Sequence, residues 1–176
     1  MPNSTSKNLV AHFVNPLDAE TLDVMGPQIQ LLVEPGADHA PSVMRGTIPP
    51  GTVVPLHSHD DPETFIGLSG EAEGLIHSAD EFRWVRIQAG DIFHVPGGAK
   101  HAFRNRNDTP YVALVVSTSR MAEFFRVVGT PLTLGERAAA ISEVQVQEFF
   151  EAAARFGYWT GGQGDNAAIG LDLRQK

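Results

Sequence analysis

The chain has 176 residues, a net charge of −8 at pH 7 and no cysteine, which suits a single domain and excludes disulfides and thiolate metal ligands. No run of Lys and Arg forms a basic face on this acidic chain, which excludes nucleic acid and anionic membrane as partners. No stretch approaches the roughly 18 apolar residues of a membrane span.

Residues 1–21 are polar and broken by Pro2 and Pro16, and read as an N-terminal arm. They hold no apolar run of secretion-signal length, so a cytoplasmic location is the default expectation. From residue 22 to 118 the character changes. Short runs such as "IQLLVE", "SVMRGTI", "TVVPLH", "TFIGLSG", "FRWVRIQ" and "YVALVVS" alternate with Gly and Pro. Runs of this length with turn signals between them predict an all-β sandwich or barrel. No helical pattern separates them, which counts against a parallel βαβ sheet.

After Ser119 the period becomes helical. Met121, Phe124, Phe125 and Val128 share a face, and Gly129 and Pro131 end the segment. A second helix is expected over "SEVQVQEFFEAAARFG", with Ser142 as its N-cap and Val146, Phe149, Phe150 and Ala153 on one face. The predicted organisation is therefore arm 1–21, barrel 22–118, two C-terminal helices within 119–160, and a glycine-rich mobile tail 161–176.

The stretch "GTVVPLHSHDDPETFIGLSG" carries two of the chain's seven histidines one residue apart. On a strand, His57 and His59 point to the same face. If the chain reverses at "DDP", Glu63 returns beside them. Gly51 and Gly70 frame the unit at turns.

This stretch resembles the first cupin motif, which is Gly, five residues, His-x-His, three or four residues, Glu, six residues, Gly. Gly51, His57, His59, Glu63 and Gly70 fill every position. "GDIFHVPGGAKHAFRN" is similar to the second motif and supplies Gly90, Pro96, Gly98, His101 and Asn105. The resemblance implies a double-stranded β-helix, the cupin jelly-roll barrel. It also implies that His57, His59, Glu63 and His101 bind one divalent metal ion. Three neutral imidazoles and a carboxylate leave about two octahedral positions open, and this donor set accepts Fe, Mn, Ni, Co, Cu or Zn. Glu63 is assigned two roles, ligand first and catalytic base second.

For the substrate pocket, parity places Glu63, Phe65 and Gly67 inward together, with Phe93 and Phe103 completing an apolar wall. Gly67 has two readings, a gap left for substrate and a close backbone approach or bulge. His94 is a candidate for the pocket mouth. Arg45 has two readings, an inward anion contact and an outward salt bridge. Asn105 is expected to order a turn. His12, His39 and His77 are expected at the surface, and Phe82 and Trp84 in core or interface positions.

Fold alone does not fix chemistry. The helix "SRMAEFFRVVGTP" after the last barrel strand is similar to that of quercetin 2,3-dioxygenase-like cupins. The resemblance implies a metal-dependent dioxygenase for a small aromatic, flavonol-like or diketone substrate, with dioxygen as a co-substrate. A non-oxidative isomerase, lyase or decarboxylase of a small sugar or keto acid stays open. So does a metal-binding cupin without turnover. A homodimer is expected, as cupins often pair sheet edges or exchange terminal strands.

Overall fold

A computed structural model of the chain describes residues 10–33, 41–78, 81–132 and 141–173. His39 and the first nine residues of the expected arm lie outside them. A 3-10 turn at Pro16–Asp18 leads into β1 (Thr21–Asp23) and β2 (Gln28–Val33). There follow β3 (Ser42–Ile48), β4 (Val53–Ser58), β5 (Glu63–Ser69), β6 (Glu71–Ser78), β7 (Glu81–Gln88), β8 (Ile92–Val95), β9 (His101–Arg104) and β10 (Tyr111–Ser117). The C-terminal part adds α1 (Ser119–Val128), β11 (Thr130–Pro131), α2 (Glu143–Arg155), β12 (Trp159–Thr160) and α3 (Gln163–Ala168).

The strands form two antiparallel sheets. One runs β11-β1-β2-β3-β10-β5-β8 and the other β12-β4-β9-β6-β7. Consecutive strands β4 and β5 lie in different sheets, so the chain crosses the barrel between Ser58 and Glu63. The fold is an all-β double-stranded β-helix with helices appended, as expected, although three helices are formed among the described residues rather than two.

Alternation sets the inner face. Along β10 Tyr111, Ala113, Val115 and Ser117 are buried, while their neighbours are half-exposed. Between the sheets Ile48, Ala72, Ile87, Phe93, Val95, Phe103, Tyr111 and Ala113 form one core. A second core joins Leu22, Ile29, Leu31, Met44 and Val115 to Met121, Ala122 and Phe124 of α1 and to Ala152 and Ala153 of α2. The helices thus cover the flank of the larger sheet built from β1, β2 and β3.

Both long helices start as their sequences specify. Thr118 caps α1 by accepting from the Met121 N–H, and Ser142 and Gln145 form a reciprocal capping box on α2. The apolar face expected on α2 is only partly used. Ala153 is buried and Phe149 packs against the core, but Phe150 is 49% exposed.

The glycine-rich end differs most from expectation. Its described residues, 161–173, are folded against the barrel. Ile169 and Leu171 cover Leu56, Leu75 and Ala102 on the outer face of the smaller sheet. Asn166, fully buried, accepts the Leu56 N–H at 2.8 Å and donates to the carbonyls of Gly161 and Gly162. Gly161 N–H donates to the Leu56 carbonyl at 2.7 Å. Glycine content signals local freedom, but these hydrogen bonds come from a strand about a hundred residues away and outweigh it.

Asn166→Ala leaves the buried Leu56 N–H and the Gly161 carbonyl without their side-chain partner, while the Gly162 carbonyl keeps the backbone N–H of residue 166. The expected loss is about 2–3 kcal/mol of unfolding free energy, taking ~1–3 kcal/mol for an unsatisfied buried group. Urea unfolding of the purified variant checks it, and a midpoint equal to wild type rules out the anchoring role.

Candidate metal centre

β4 places His57, and the crossing segment places His59. β4 does not run regularly. Val54 pairs with Phe103 but His57 pairs with His101, so one extra residue is inserted at Pro55–Leu56. This bulge reverses parity. Val54 and His57 both face the barrel interior, and Leu56 turns out to meet Ile169. Proline suits the site, having no N–H to lose from the ladder. His101 opens β9, directly opposite His57.

The turn before His101 is built against the crossing segment. Gly98, at φ +81°, donates its N–H to the His59 carbonyl at 2.7 Å. Only glycine adopts that backbone readily. A Cβ on Gly97 would lie 2.3 Å from the Asp60 carbonyl oxygen. The Pro-Gly-Gly turn of one motif is thereby packed on the loop of the other.

Three imidazoles converge as a result. The candidate ligand atoms of His57, His59 and His101 all lie within 4.8 Å of one another. Glu63, at the start of β5, brings Oε2 to 3.3 Å from Nε2 of His59 and 3.2 Å from Nε2 of His101. His59, Glu63 and His101 are buried and His57 is half-buried.

Each imidazole is held at its other nitrogen. Nδ1 lies 2.8 Å from the Pro55 carbonyl in His57, 2.8 Å from the Asp61 carbonyl in His59 and 2.9 Å from the Ala99 carbonyl in His101. A carbonyl only accepts, so Nδ1 carries the proton in all three, and Nε2 of the neutral ring presents a lone pair. His101 Nε2 is buried without a hydrogen-bond partner. Lone pairs facing a carboxylate repel unless a proton or a cation sits between them. The donor set fits a divalent ion, and second-sphere carbonyls of this kind orient metal-bound histidines.

The electrostatics agree. Burial above all, then the neighbouring His101 and His59, pull His57 down to about 3. Burial also works against charge on His59, but the hydrogen bond and charge of Glu63 outweigh it and raise that ring above its usual 6.5. Burial favours neutral Glu63, yet His101 and His59 hydrogen-bond to it when their Nε2 atoms carry a proton in place of an ion, and this lowers the carboxyl to about 2. Glu63 is therefore an anion at neutral pH.

Beside the cluster, ring centroids of Phe65 and Phe103 are 4.8 Å apart, Phe93 and Phe103 5.4 Å, and His101 and Phe103 6.1 Å. The three phenylalanines expected in the wall are together. They pack as a solid floor rather than around an open cavity, since Phe93 and Phe103 are buried and the Phe93 ring leaves no room for a Cβ at Gly74.

Three other pocket candidates lie elsewhere. A Cβ on Gly67 would sit 2.2 Å from the Gln88 carbonyl oxygen, and the pairing of β5 with β10 slips at this point. Gly67 therefore serves a close backbone approach and opens no space for substrate. His94 is on the outer face, with Nδ1 3.0 Å from Thr64 Oγ1, because its neighbours Phe93 and Val95 take the interior. Arg45 alternates with buried Met44 and also points outward, donating to Gln30 Oε1 at 3.2 Å rather than to an anion in the barrel. Asn105 orders its turn through the Ile48 and Thr109 carbonyls, and His12 and His77 are exposed, all as expected.

Sequence reasoning missed Asp61 and Tyr158. Asp61, 5% exposed, accepts from Tyr158 Oη at 2.7 Å, from Arg120 Nη1 at 2.9 Å and from the Thr118 hydroxyl. The Tyr158 ring lies 5.0 Å from that of His59. Burial first, then Asp61, pushes the phenol well above its usual range, so Tyr158 stays a donor. Asp61 sits inside the first motif at a position its pattern leaves open. Nothing local links it to a tyrosine 97 residues away.

Residues 44–117 match the family described as the cupin domain. No curated protein matches the sequence significantly. Among solved structures, a predicted oxalate decarboxylase from Thermotoga maritima is 25% identical with a TM-score of 0.50, covering 61% of this chain and 98% of its own. The polyketide cyclase RemF from Streptomyces resistomycificus is 17% identical with a TM-score of 0.55, covering 81% and 99%. An uncharacterized double-stranded β-helix protein from Klebsiella pneumoniae is 20% identical with a TM-score of 0.50, covering 62% and 91%. The last two likenesses are of fold. Motif, topology and the family match over residues 44–117 agree on a cupin domain in that part of the chain.

Proposed function

We propose that this chain is a metal-dependent enzyme that removes a proton from a small, oxygen-bearing substrate at the cluster of His57, His59, Glu63 and His101. One observation carries the reading. Three Nδ1–H groups are tied to carbonyls, so three Nε2 lone pairs and an ionised carboxylate are turned on one another in a buried space. A divalent ion held there supplies Lewis acidity toward a substrate oxygen and, if redox-active, electron exchange with dioxygen.

The residues divide the remaining work. The imidazoles of His57, His59 and His101 hold the ion, with Glu63 as fourth ligand. Among the described residues, Glu63 is also the carboxylate placed to accept the substrate's enol, phenol or acid proton at Oε2. Phe65, Phe93 and Phe103 shut water out from beneath and present an apolar surface to a flat substrate.

Two reactions share this first step. Dioxygenase cleavage of an aromatic, flavonol-like or diketone substrate is supported by the phenylalanine surface beside His101. Non-oxidative lyase or decarboxylase chemistry on a small acid is supported by the likeness to the predicted oxalate decarboxylase.

An oxygen electrode with flavonols, diketones and catechols, run beside anaerobic assays of small dicarboxylic and keto acids, separates the two. Oxygen uptake in step with substrate loss selects the first, and turnover without oxygen selects the second. Glu63→Gln is expected to lower turnover by about 10²–10⁴-fold, the usual share of a positioned acid–base group. Unchanged turnover in that variant removes Glu63 from the proton transfer.

Metal content gives an independent check. Protein purified without added metal is expected to hold close to one ion per chain by elemental analysis. His59→Ala and His101→Ala are expected to lose it on dialysis, and retention of a full complement by both defeats the site.

Metal uptake should also compete with protons. His59 is raised above 6.5 by Glu63, so each ion must displace a proton there once the pH falls into that range. Affinity is full above it and lost as pH falls through it, by about tenfold per unit for each proton displaced. Titrations with zinc from pH 8 to pH 5 read the slope, and a flat profile contradicts it.

A further inference from the structure

The carboxylate of Asp61 joins the candidate metal segment to the start of α1 and to the link between α2 and β12. Its own carbonyl accepts the His59 Nδ1–H at 2.8 Å. Its side chain accepts from Thr118, which caps α1, and from Arg120 in the first turn of α1. It also accepts from Tyr158, one residue before β12. Arg120 reaches further with its other nitrogen and donates to the Phe156 carbonyl, just past α2. β12 then pairs Trp159 and Thr160 with Ser58 and His57. Two metal-site histidines are thus contacted from the C-terminal segment, His59 through Asp61 and Tyr158, and His57 through Thr160.

From this arrangement we infer that Asp61 and Tyr158 are positioning residues for the ion, and that metal affinity depends on the C-terminal segment being docked on Asp61. The inference rests on the metal-site reading above and deepens it. Three donors from two separate segments fix the Asp61 side chain, and in a tight crossing loop that fixes the Asp61 carbonyl as well. That carbonyl sets the rotation of the His59 ring, and with it the direction of the Nε2 lone pair. The Tyr158 ring lies beside the His59 ring, 5.0 Å between centroids and tilted by 43°. Removal of the Tyr158 hydroxyl leaves the ring in place but frees one of the three ties, so His59 samples orientations that no longer aim at the ion. Second-sphere changes of this sort commonly cost 10- to 100-fold in metal affinity.

The test uses cobalt(II) as the probe, with the whole chain. Wild type, Tyr158→Phe and Asp61→Asn are titrated with cobalt, and both affinity and visible d–d absorption are recorded. Ile48→Ala, a cavity in the core between the sheets at the Tyr111 end of β3, serves as the control for general destabilisation. Tyr158→Phe is expected to bind cobalt at least about 10-fold more weakly, with altered band positions. Ile48→Ala should keep the wild-type affinity and spectrum despite its lower unfolding midpoint. Should Asp61→Asn not fold, Tyr158→Phe, which removes one hydroxyl, decides alone. Wild-type affinity and spectrum in Tyr158→Phe overturn the inference, as does an equal change in Ile48→Ala. Failure of the wild-type protein to bind cobalt overturns the metal-site reading instead, so the two failures are distinguishable.

Discussion

The structure turns on an anion that cannot be left alone. Glu63 is 5% exposed and ionised, and a carboxylate in such a place is tolerated only when charge or donors surround it. The nearest groups are imidazole Nε2 atoms, and their Nδ1–H bonds to carbonyls turn those atoms into acceptors when the rings are neutral. A cation resolves the conflict at once, giving every lone pair a partner. Much of the surrounding architecture serves this constraint. The ladder between β4 and β9 sets His57 against His101, the crossing segment delivers His59, and the start of β5 brings Glu63 across from the opposite sheet.

The same constraint explains how the interior is layered. Across the larger sheet the register pairs Ser42 with Ser117 and Glu63 with Val95, placing hydroxyls in the row that holds the carboxylate. One row further in, Phe65 pairs with Phe93 and Val115. The polar row of Ser42, Ser117 and Glu63 is itself buried, and the aromatic row lies next to it. Water is thus excluded from one side of the cluster, and the lower effective dielectric strengthens each interaction within it. Glycine at 74 is part of the same arrangement, since it admits the Phe93 ring that seals the floor.

The candidate metal ligands are legible because they are local. His57, His59 and Glu63 fall within seven residues, and His101 comes with a turn that only glycine and proline build. What simple alternation could not supply was strand phase. Counted straight along β4, Val54 and Leu56 share a face and His57 opposes them. The bulge at Pro55–Leu56 reverses this, and no hydrophobic pattern announces it. Gly67 was open to two readings for the same reason, as a slip in pairing and a roomy pocket wall both show as a glycine in a strand. Arg45 and His94 went to the outer face because buried neighbours in the same strand claimed the inner one. Asp61, Tyr158 and Asn166 were invisible for a different reason. Each makes its decisive contacts with residues about sixty to a hundred and ten positions away, and a single sequence does not record pairings at that distance.

Those long-range contacts change what the C-terminal third of the chain is for. Leu56 has its N–H bound by Asn166, its carbonyl by Gly161 and its side chain by Ile169 and Leu171. The residue next to it is His57. A bulge weakens a strand locally, because the extra residue loses its ladder partners. Here the partners lost from the ladder are replaced by the last segment of the polypeptide. The bulge turns His57 inward, and the C-terminal segment makes the bulge affordable by satisfying Leu56. An end that looks dispensable by composition is therefore tied to the candidate metal centre, at Leu56 next to His57 and at Asp61, whose carbonyl meets His59.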